Sequence, residues 1–395
     1  MLDTLYIGTS GLLSHAKGLR VVGNNLANVN TPGFKSSQLQ FGALFEQGGG
    51  GAPAATARQA MGNGVDIVGT RLLLKAGNEQ GTGNPYDMSI NGNGMFVVKR
   101  DGKLLYTRSG DFQFDANNVL VNSRGDHVQG LGSGGQLTDI SLQPLQRSPA
   151  KATATVKLTG NLPSPPPPPT TPTDTVLNNV TVIDSLGVVH AVNLTIKAAG
   201  SGTYTVYVNE AASGGGQLGS GTVKFNGIAP DPGNNDVKFF YSAPDVPAFA
   251  VKIDFSAVNS QASPSTLAAS QDGYVGGVRA DQSIGADGTI TVRYSNGQTA
   301  KGQRLALADF HSEKELEQLP GGMFEVKNSG GVFYGVAAAE SFGYLQAGRR
   351  EGSNVDLAEE FGNLILMQRG YQASSHVIST ANEMIQQLFD MKGNR

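Results

Sequence analysis

The sequence predicts an α+β, mainly β protein in which nested β domains lie between one long helix at each end. Both ends of the chain repeat apolar residues at alternating intervals of three and four, which is the spacing of a coiled coil. Glycine makes up 54 of the 395 residues, about twice its average share. Between the ends, short apolar runs are separated by Asp-Gly and Asn-Gly turns, which are typical of β-hairpins. We therefore expect the two helices to form a coiled-coil-like terminal domain that encloses a β-rich middle.

The composition argues against several classes of protein. Only 15% of the residues are charged and the net charge is -3, so there is no electrostatic basis for binding nucleic acid or an anionic membrane surface. The chain has no cysteine, so disulfides and thiol chemistry are excluded. We find no run of 18 apolar residues, and the first four residues lack the start of a cleaved secretory signal. If the protein is exported, we expect a route without that signal.

The first predicted helix covers residues 2–28 and ends at Thr31-Pro32-Gly33, a strong stop signal. Four glycines lie within it, and each is expected to destabilise a helix interior by roughly 1 kcal/mol relative to alanine. We infer that this helix is weak alone and forms fully only when packed. Its predicted packing stripe, interrupted at Thr9 and Gly23, consists of Leu2, Leu5, Leu12, Ala16, Leu19 and Leu26.

The middle of the chain is predicted to be β from Gly64 onward, after irregular chain over residues 34–60. Residues 95–106 form a predicted hairpin with an Asp101-Gly102 turn. Six candidate strands between residues 151 and 275 indicate a separate β unit, in which Pro165–Pro169 is interpreted as a stiff surface loop. The predicted terminal helical polymerisation domain comprises residues 1–33 and 353–395, and the predicted linker region comprises residues 34–70 and 335–352. The predicted first β domain comprises residues 71–150 and 276–334. The predicted inserted outer β domain comprises residues 151–275.

The second predicted helix covers residues 354–391, with Ser353 and Asp356 as a start resembling a capping box. At 1.5 Å per residue it would be roughly 55 Å long. Its apolar stripe is interrupted at Glu360 and Ser374. The predicted packing residues of this stripe are Leu357, Leu364, Met367, Tyr371, Ile378, Ala381, Ile385 and Leu388.

The sequence shows no constellation of catalytic residues. No two of the five histidines have metal-ligand spacing, and neither a nucleophile elbow nor a phosphate-binding loop occurs. We therefore expect no enzymatic activity, no cofactor, no metal and no small-molecule substrate.

Residues 24–35 carry the most specific motif of the chain. The run Asn-Asn-Leu-Ala-Asn-Val-Asn-Thr-Pro-Gly-Phe-Lys closely resembles the N-terminal signature of bacterial flagellar axial proteins, the rod and hook subunits. Residues 353–357 and 367–373 look like the matching C-terminal signature, and residues 91–96 resemble the β domain that the family shares. The signature positions are Asn25, Asn28, Asn30, Thr31, Pro32, Gly33, Phe34 and Lys35.

The resemblance carries several implications. Rod subunits lack a large inserted domain, so residues 151–275 favour a hook subunit, and a distal rod subunit is the alternative. A hook subunit would assemble into a curved helical tube, a flexible joint that passes torque from the basal-body rod to the filament. The implied partners are copies of the chain itself, the rod, hook cap and hook–filament junction proteins, and the flagellar type III export apparatus. The implied location is the extracellular part of the flagellum, reached without a cleaved signal peptide.

Two other interpretations come from the residues alone. The apolar stripes fit an intramolecular helix pair docked on the β domains as well as they fit packing between subunits, and only the resemblance favours the second. A surface adhesin with β domains on a helical stalk is a further alternative. It would be expected to carry a secretion signal or a membrane anchor, and we find neither in the sequence.

Overall fold

The mainly β fold with a helix at each end is confirmed. The structure is a computed structural model that describes residues 2–45, 62–132, 134–165, 173–212, 215–242, 247–312, 315–327, 331–339 and 341–393. Strand accounts for 50% of the described residues and helix for 19%. Neither described helix contains a stretch long and apolar enough to span a membrane.

The elements of the first half of the chain, in order, are α1 (Leu2–Ala27), β1 (Ser37–Phe45), β2 (Gly62–Leu72), β3 (Glu79–Gly81), β4 (Met88–Asn91), β5 (Met95–Arg100), β6 (Lys103–Thr107), β7 (Phe112–Phe114), β8 (Leu120–Asn122), β9 (His127–Leu131), β10 (Leu137–Asp139), a 3-10 turn (Gln143–Leu145), β11 (Arg147–Ser148), β12 (Thr155–Pro163), β13 (Thr175–Ile183) and β14 (Val189–Gly200). The second half contains β15 (Thr203–Glu210), β16 (Gln217–Asn226), β17 (Ala229–Pro230), β18 (Asp236–Tyr241), β19 (Phe249–Gln261), β20 (Ala268–Gln271), β21 (Gly277–Ile284), β22 (Thr289–Tyr294), β23 (Thr299–Phe310), β24 (Leu316–Leu319), β25 (Met323–Val326), β26 (Val332–Val336), β27 (Tyr344–Ala347), β28 (Arg349–Glu351) and α2 (Leu357–Gly393).

The chain divides into two compact units. Unit 1 contains residues 1–143, 283–291 and 301–395, and unit 2 contains residues 144–282 and 292–300. Within unit 1, late strands pair with early ones, β27 with β4 and β28 with β3. Unit 1 is therefore built from both ends of the chain, as a nested fold requires. The finer division into four domains stays a prediction.

Unit 1 is organised around a sheet in the order β23-β9-β5-β6-β25-β24. The predicted hairpin of β5 and β6 is present, with Arg100 opposite Lys103. Asp101 and Gly102 both have positive φ angles, 49° and 81°, which is the geometry of a type I′ turn. One core cluster of this unit consists of Leu72, Met95, Val97, Tyr106, Ala306, Ala308 and Phe324.

Unit 2 contains two sheets that share one apolar core. The first has the order β18-β19-β12-β20, with β12 parallel to β19, and the second the order β13-β14-β15-β16-β17. Side chains of both sheets, including Leu158, Leu194, Val206 and Phe255, are fully buried in the same cluster. All six strands predicted for this region occur. Most of the predicted polyproline loop, Pro166–Pro169, lies outside the described residues.

The prediction of irregular chain over residues 34–60 is wrong for Ser37–Phe45. This segment is strand β1, which pairs antiparallel with β2, so that Leu39 lies opposite Thr70. The hairpin of β1 and β2 packs along α1, where the Ser14 hydroxyl donates a hydrogen bond of 3.3 Å to the Val65 carbonyl. The alternating apolar residues of β1 are stabilised by this helix, a contact that local sequence does not reveal.

The predicted start of the second helix needs a small correction. The residue that caps α2 is Asp356, whose Oδ1 accepts hydrogen bonds from the backbone N–H groups of Ala358 and Glu359 at 2.8 and 3.2 Å. Ser353 instead accepts a 3.3 Å bond from the Val355 N–H, before the helix begins. An aspartate is favoured at this position because its carboxylate satisfies N–H groups that have no partner within the helix.

Candidate functional site

The two terminal helices contact each other through small residues. A Cβ atom added to Gly8 would lie 2.8 Å from Ile378 Cγ1, and one added to Gly11 would lie 2.7 Å from Ser374 Oγ. Gly18 is equally close to a side chain of α2. Glycines at these positions allow the helix backbones to approach closely, which offsets their low helix propensity.

The helices run antiparallel. Gly8 lies at the level of Ile378, and Gly18 lies at the level of Met367. The numbers of two residues at the same level on the paired helices therefore add up to about 386. At the far end of the pair, Asn25 of α1 reaches Glu360 of α2. An intramolecular helix pair is therefore part of the fold, whereas its coiled-coil character is not established.

The buried face of α1 is displaced by one residue from the predicted stripe. Its fully buried positions are Gly8, Gly11, Ser14, Gly18, Val22 and Asn25. The predicted residues Leu5, Leu12, Ala16, Leu19 and Leu26 are half-buried beside this face. The side chain of Leu2 lies outside the described residues. Small residues occupy the closest contact with α2, and the leucines lie at its edge because they are too large for that contact.

The predicted stripe of α2 is divided between the intramolecular contact and the surface. Ala381 is fully buried. The half-buried members are Leu364, Met367, Ile378 and Ile385, and the exposed members are Leu357, Tyr371 and Leu388. The helix pair thus covers only part of this stripe in a single chain.

A second apolar row runs along α2 and is exposed. Its members, called here the apolar flank, are Leu366, Val377, Met384, Leu388 and Met391. Successive members are 11, 7, 4 and 3 residues apart, so they follow one face of the helix. Leu366 is 63% exposed and Met391 is 71% exposed. An exposed apolar row of this kind on a helix is typical of a protein–protein contact.

Lys35, the last signature residue, forms the centre of a buried charged cluster. It is fully buried, and its Nζ pairs with Glu351 and donates a 2.8 Å hydrogen bond to the Lys75 carbonyl. Glu351 also accepts bonds from the Gly77 N–H at 2.9 Å and from Arg108 at 3.3 Å. Burial lowers the pKa of Lys35, and the charge of Glu351 opposes this shift. The cluster joins the exit of α1, the end of β6 and the last strand before α2.

Two asparagines connect the same segments through backbone hydrogen bonds. Asn25 accepts from the Ser37 N–H at 3.0 Å and donates to the Ser37 carbonyl at 2.9 Å and to Glu360 Oε1 at 2.8 Å. Asn354 accepts from the Ser36 N–H at 2.7 Å and donates to the Leu73 carbonyl at 2.7 Å. These bonds hold the start of β1 against the start of α2.

The other signature residues shape the turn between α1 and β1. The Thr31 hydroxyl donates a 3.1 Å bond to Asn28 Oδ1. Gly33 has a φ of 66°, and a Cβ there would lie 2.8 Å from the backbone carbon of Arg108, so only glycine fits. The Phe34 side chain is buried. Pro32 is half-buried and Asn30 exposed.

Sequence reasoning missed the partners of this signature. Arg108, Glu351 and Glu360 were not predicted as site residues, and Asn354 was recognised only within the C-terminal motif. Lys35 ends the N-terminal signature, and Glu351 lies just before the C-terminal signature. The opposite charges at these two places could have suggested the ion pair. Among the described residues, no group of three or more His, Asp or Glu side chains is placed to hold a metal ion.

Family models match three segments of the chain. The model described as "Flagella basal body rod protein" matches residues 5–35, and "Flagellar basal body rod FlgEFG protein C-terminal" matches residues 346–391. Between them, "Flagellar hook protein FlgE/F/G D1 domain" matches residues 89–201. The two end matches include the helix pair and the signature at residues 24–35.

Curated relatives cover nearly the whole chain. Flagellar hook protein FlgE of Escherichia coli (strain K12) is 30% identical over 407 residues, which is 97% of this chain and 98% of the relative. The FlgE of Salmonella typhimurium is 30% identical over 408 residues, with the same coverage. The FlgE of Borreliella burgdorferi is 29% identical over 441 residues, covering 99% and 100%. The crystal structure of Helicobacter pylori flagellar hook protein FlgE2 has a TM-score of 0.49 and 12% identity, covering 68% of this chain and 99% of that chain.

The family models and the curated relatives, together with the terminal helix pair and the nested β fold, define a structural protein of the bacterial flagellum. Within that class, the chain belongs to the flagellar hook protein FlgE family, because the identity of 30% extends over 97% of its length. The prediction of a hook subunit is confirmed. The distal rod alternative is less supported, since these full-length relatives are hook proteins.

Proposed function

We propose that the chain polymerises through the exposed apolar flank of α2, which packs against terminal helices of neighbouring copies in an open helical tube. The observation that carries this proposal is that the flank is exposed after α1 and α2 have paired. An open helix of subunits requires heterologous contacts that do not close into a ring. A helical face that the chain's own partner helix does not cover is suited to such contacts.

The proposed tube is curved and passes torque from the rod to the filament, with no catalytic role. Its proposed partners are further copies of the chain, the rod, the hook cap and the hook–filament junction proteins. Delivery to the extracellular flagellum is proposed to use the type III export apparatus, without a cleaved signal. Membership of the hook family and the absence of cysteine are consistent with an unfolded exported chain that must not cross-link.

The predicted subunit-packing residues divide into two groups in this proposal. Exposed members such as Leu388 contact neighbours, whereas half-buried members such as Leu19 and Ile378 hold the intramolecular pair. Leu19→Asp and Ile378→Asp should both prevent polymerisation, since each buries an unpaired charge. They do so by disrupting the pair, and an exposed position is needed to test packing between subunits.

Leu366→Asp provides that test, with Gln372→Asp as the matched control. Leu366 belongs to the flank and is 63% exposed, so the variant should keep the circular dichroism spectrum of the parent monomer. We expect it to form no tubes in electron micrographs, because polymer contact would bury its charge. Gln372 is exposed on a different face of the same helix, about 120° from the flank, and its variant should polymerise. Normal tubes from Leu366→Asp would refute the proposal.

A further inference from the structure

A groove lies between α1 and the hairpin of β1 and β2. Its main part has a volume of about 700 Å³, and its lining includes Lys17, Arg20, Val21, Leu39, Ile67 and Thr70. A second recess of about 270 Å³ continues from it toward Tyr6, and Lys17 lines both. The groove follows α1 on a face that α2 does not cover.

The main part of the groove combines an apolar floor with a basic rim, whereas the second recess is also lined by Asp66. Val21, Leu39 and Ile67 are half-buried along its floor, while Lys17 and Arg20 are exposed at its edge. No salt bridge joins either cation to a carboxylate within the described part of unit 1. This surface fits an apolar segment that also carries negative charge.

The end of α2 has the complementary character. Because numbers of residues at the same level on the paired helices add up to about 386, α2 continues past the level of Leu2 for about nine residues, roughly 14 Å. In this projecting tip, Phe389 is 70% exposed and Met391 is 71% exposed. Asp390 lies between them, and it is exposed too. Lys392, two residues further on, lies about 200° from Asp390 around the helix, so only the side of the tip with Phe389 and Asp390 is both apolar and acidic. Among the described residues, no other helix covers these two side chains.

The tip cannot reach the groove of its own chain. It projects beyond the N-terminal end of α1, whereas the main part of the groove lies beside residues 17–24, roughly 30–40 Å from the level of Phe389 along the helix axis. In a second copy the same tip, about two turns long, matches the two turns of α1 that border the groove. A projection and a recess at opposite ends of one helix pair make a heterologous contact, which repeats without closing.

We propose that the tip of α2, around Phe389, docks into the α1–hairpin groove of a neighbouring copy, with Asp390 facing Lys17 and Arg20. This contact rests on the proposed polymerisation and specifies one interface within it. Phe389 fills the apolar floor, and the opposite charges set the orientation.

The chain contains no cysteine, so every disulfide that forms must join introduced cysteines. Single cysteine substitutions can therefore be used to detect contacts between copies. Subunits carrying Thr70→Cys, at the groove wall, are mixed with subunits carrying Gln386→Cys, on the tip, then polymerised and oxidised. We expect covalent dimers on a non-reducing gel, with the linked peptides identified by mass spectrometry. Each subunit has one thiol, so every disulfide is between copies. A mixture of Lys103→Cys with Gln386→Cys is the control and should give no such dimers.

Two substitutions test the energetics of the same contact. Phe389→Ser should raise the critical concentration for polymerisation at least tenfold, the scale expected for losing a buried aromatic side chain. Lys17→Glu should raise it about two- to fivefold, and adding Asp390→Lys should reverse this rise. Lys103→Glu, a charge reversal far from the groove in sequence, should leave it unchanged.

The outcomes separate this inference from the function on which it rests. Tubes that form normally but give no link between positions 70 and 386 would overturn the tip-in-groove contact and leave polymerisation intact. A link from the tip to another part of the neighbouring copy would also overturn it. If the unsubstituted chain forms no tubes in the electron microscope, both proposals fail.

Discussion

Glu351 is expected to stabilise the junction between the terminal helices and the first β strands more than any exposed ion pair of the chain. Its carboxylate is the counter-ion of Lys35 and Arg108, and the three side chains are 2%, 0% and 7% exposed. In Glu351→Gln the side-chain volume and an acceptor for the Gly77 N–H remain. The change therefore isolates the loss of one buried negative charge.

Removing one partner of a buried ion pair typically destabilises a protein by about 3–5 kcal/mol. We expect the lower end of this range. Lys35 keeps its 2.8 Å bond to the Lys75 carbonyl, and Arg108 keeps bonds to the carbonyls of Ile90 and Gly92 at 3.1 and 2.7 Å. A loss of about 3 kcal/mol corresponds to a roughly 100-fold larger equilibrium constant for local opening.

Hydrogen exchange measured by mass spectrometry can read this effect locally. In Glu351→Gln, amides of residues 33–36 and 73–77 should exchange roughly 100-fold faster, since local opening determines their rate. Strands β12 and β19 of unit 2 serve as an internal reference and should not change. Adding Lys35→Met should restore part of the protection, because it removes the ammonium left without a counter-ion.

Glu79→Gln is the matched control. Glu79 pairs with Arg349 at 3.3 Å, but the arginine side chain is 54% exposed. A pair of this kind contributes about 0–1 kcal/mol, so exchange should change less than about fivefold. Equal protection in the Glu351 and Glu79 variants would refute the reasoning that burial makes the first pair important.

Two further predictions concern the helix pair. Gly23→Ala should raise the free energy of unfolding by up to about 1 kcal/mol, since nothing lies within 4 Å of the added Cβ. Gly11→Ala should lower it despite the same propensity gain, because its Cβ would meet Ser374 Oγ at 2.7 Å; equal effects in urea unfolding would contradict this. Burial raises the pKa of Glu360 above its ordinary value of 4.5. Its stabilising contribution is therefore complete below pH 4.5 and is lost as the pH rises through the folded-state pKa. Glu360→Gln should thus be more stable than the parent at pH 7, with a flatter pH dependence of the thermal midpoint, whereas Glu359→Gln, at an exposed position, should behave like the parent.

The order of the elements was predictable because it depends on local patterns. The 3/4 spacing located both helices within a few residues of their observed ends, and the Asp101-Gly102 turn identified the β5–β6 hairpin correctly. The strand β1 was missed because it is stabilised by α1, with Asn25 bonding both backbone groups of Ser37. The alternation of apolar residues in β1 does not by itself show that a helix packs against this strand.

The candidate site was only partly predictable. The motif at residues 24–35 indicated which segment matters, but not that Lys35 would be buried against Glu351, 316 residues later. The stripe of leucines on α1 indicated a packing face and placed it one residue away from the closest contact. The hypothesis that α1 forms fully only when packed stays a prediction, and circular dichroism of dilute monomer tests it. Full polymer-like helix content in the monomer would contradict it.

By itself, the sequence determined that this protein has a helix at each end, a β-rich middle and a signature of flagellar axial proteins. Periodicity, turn residues and short motifs are properties of neighbouring residues, so they can be recognised without the fold. The tertiary structure alone decided which helix faces are buried and which stay exposed. The glycines of α1 looked like a weakness of an isolated helix. In the folded chain Gly8, Gly11 and Gly18 form the surface that receives α2. A glycine therefore stabilises or destabilises a helix according to what packs against it.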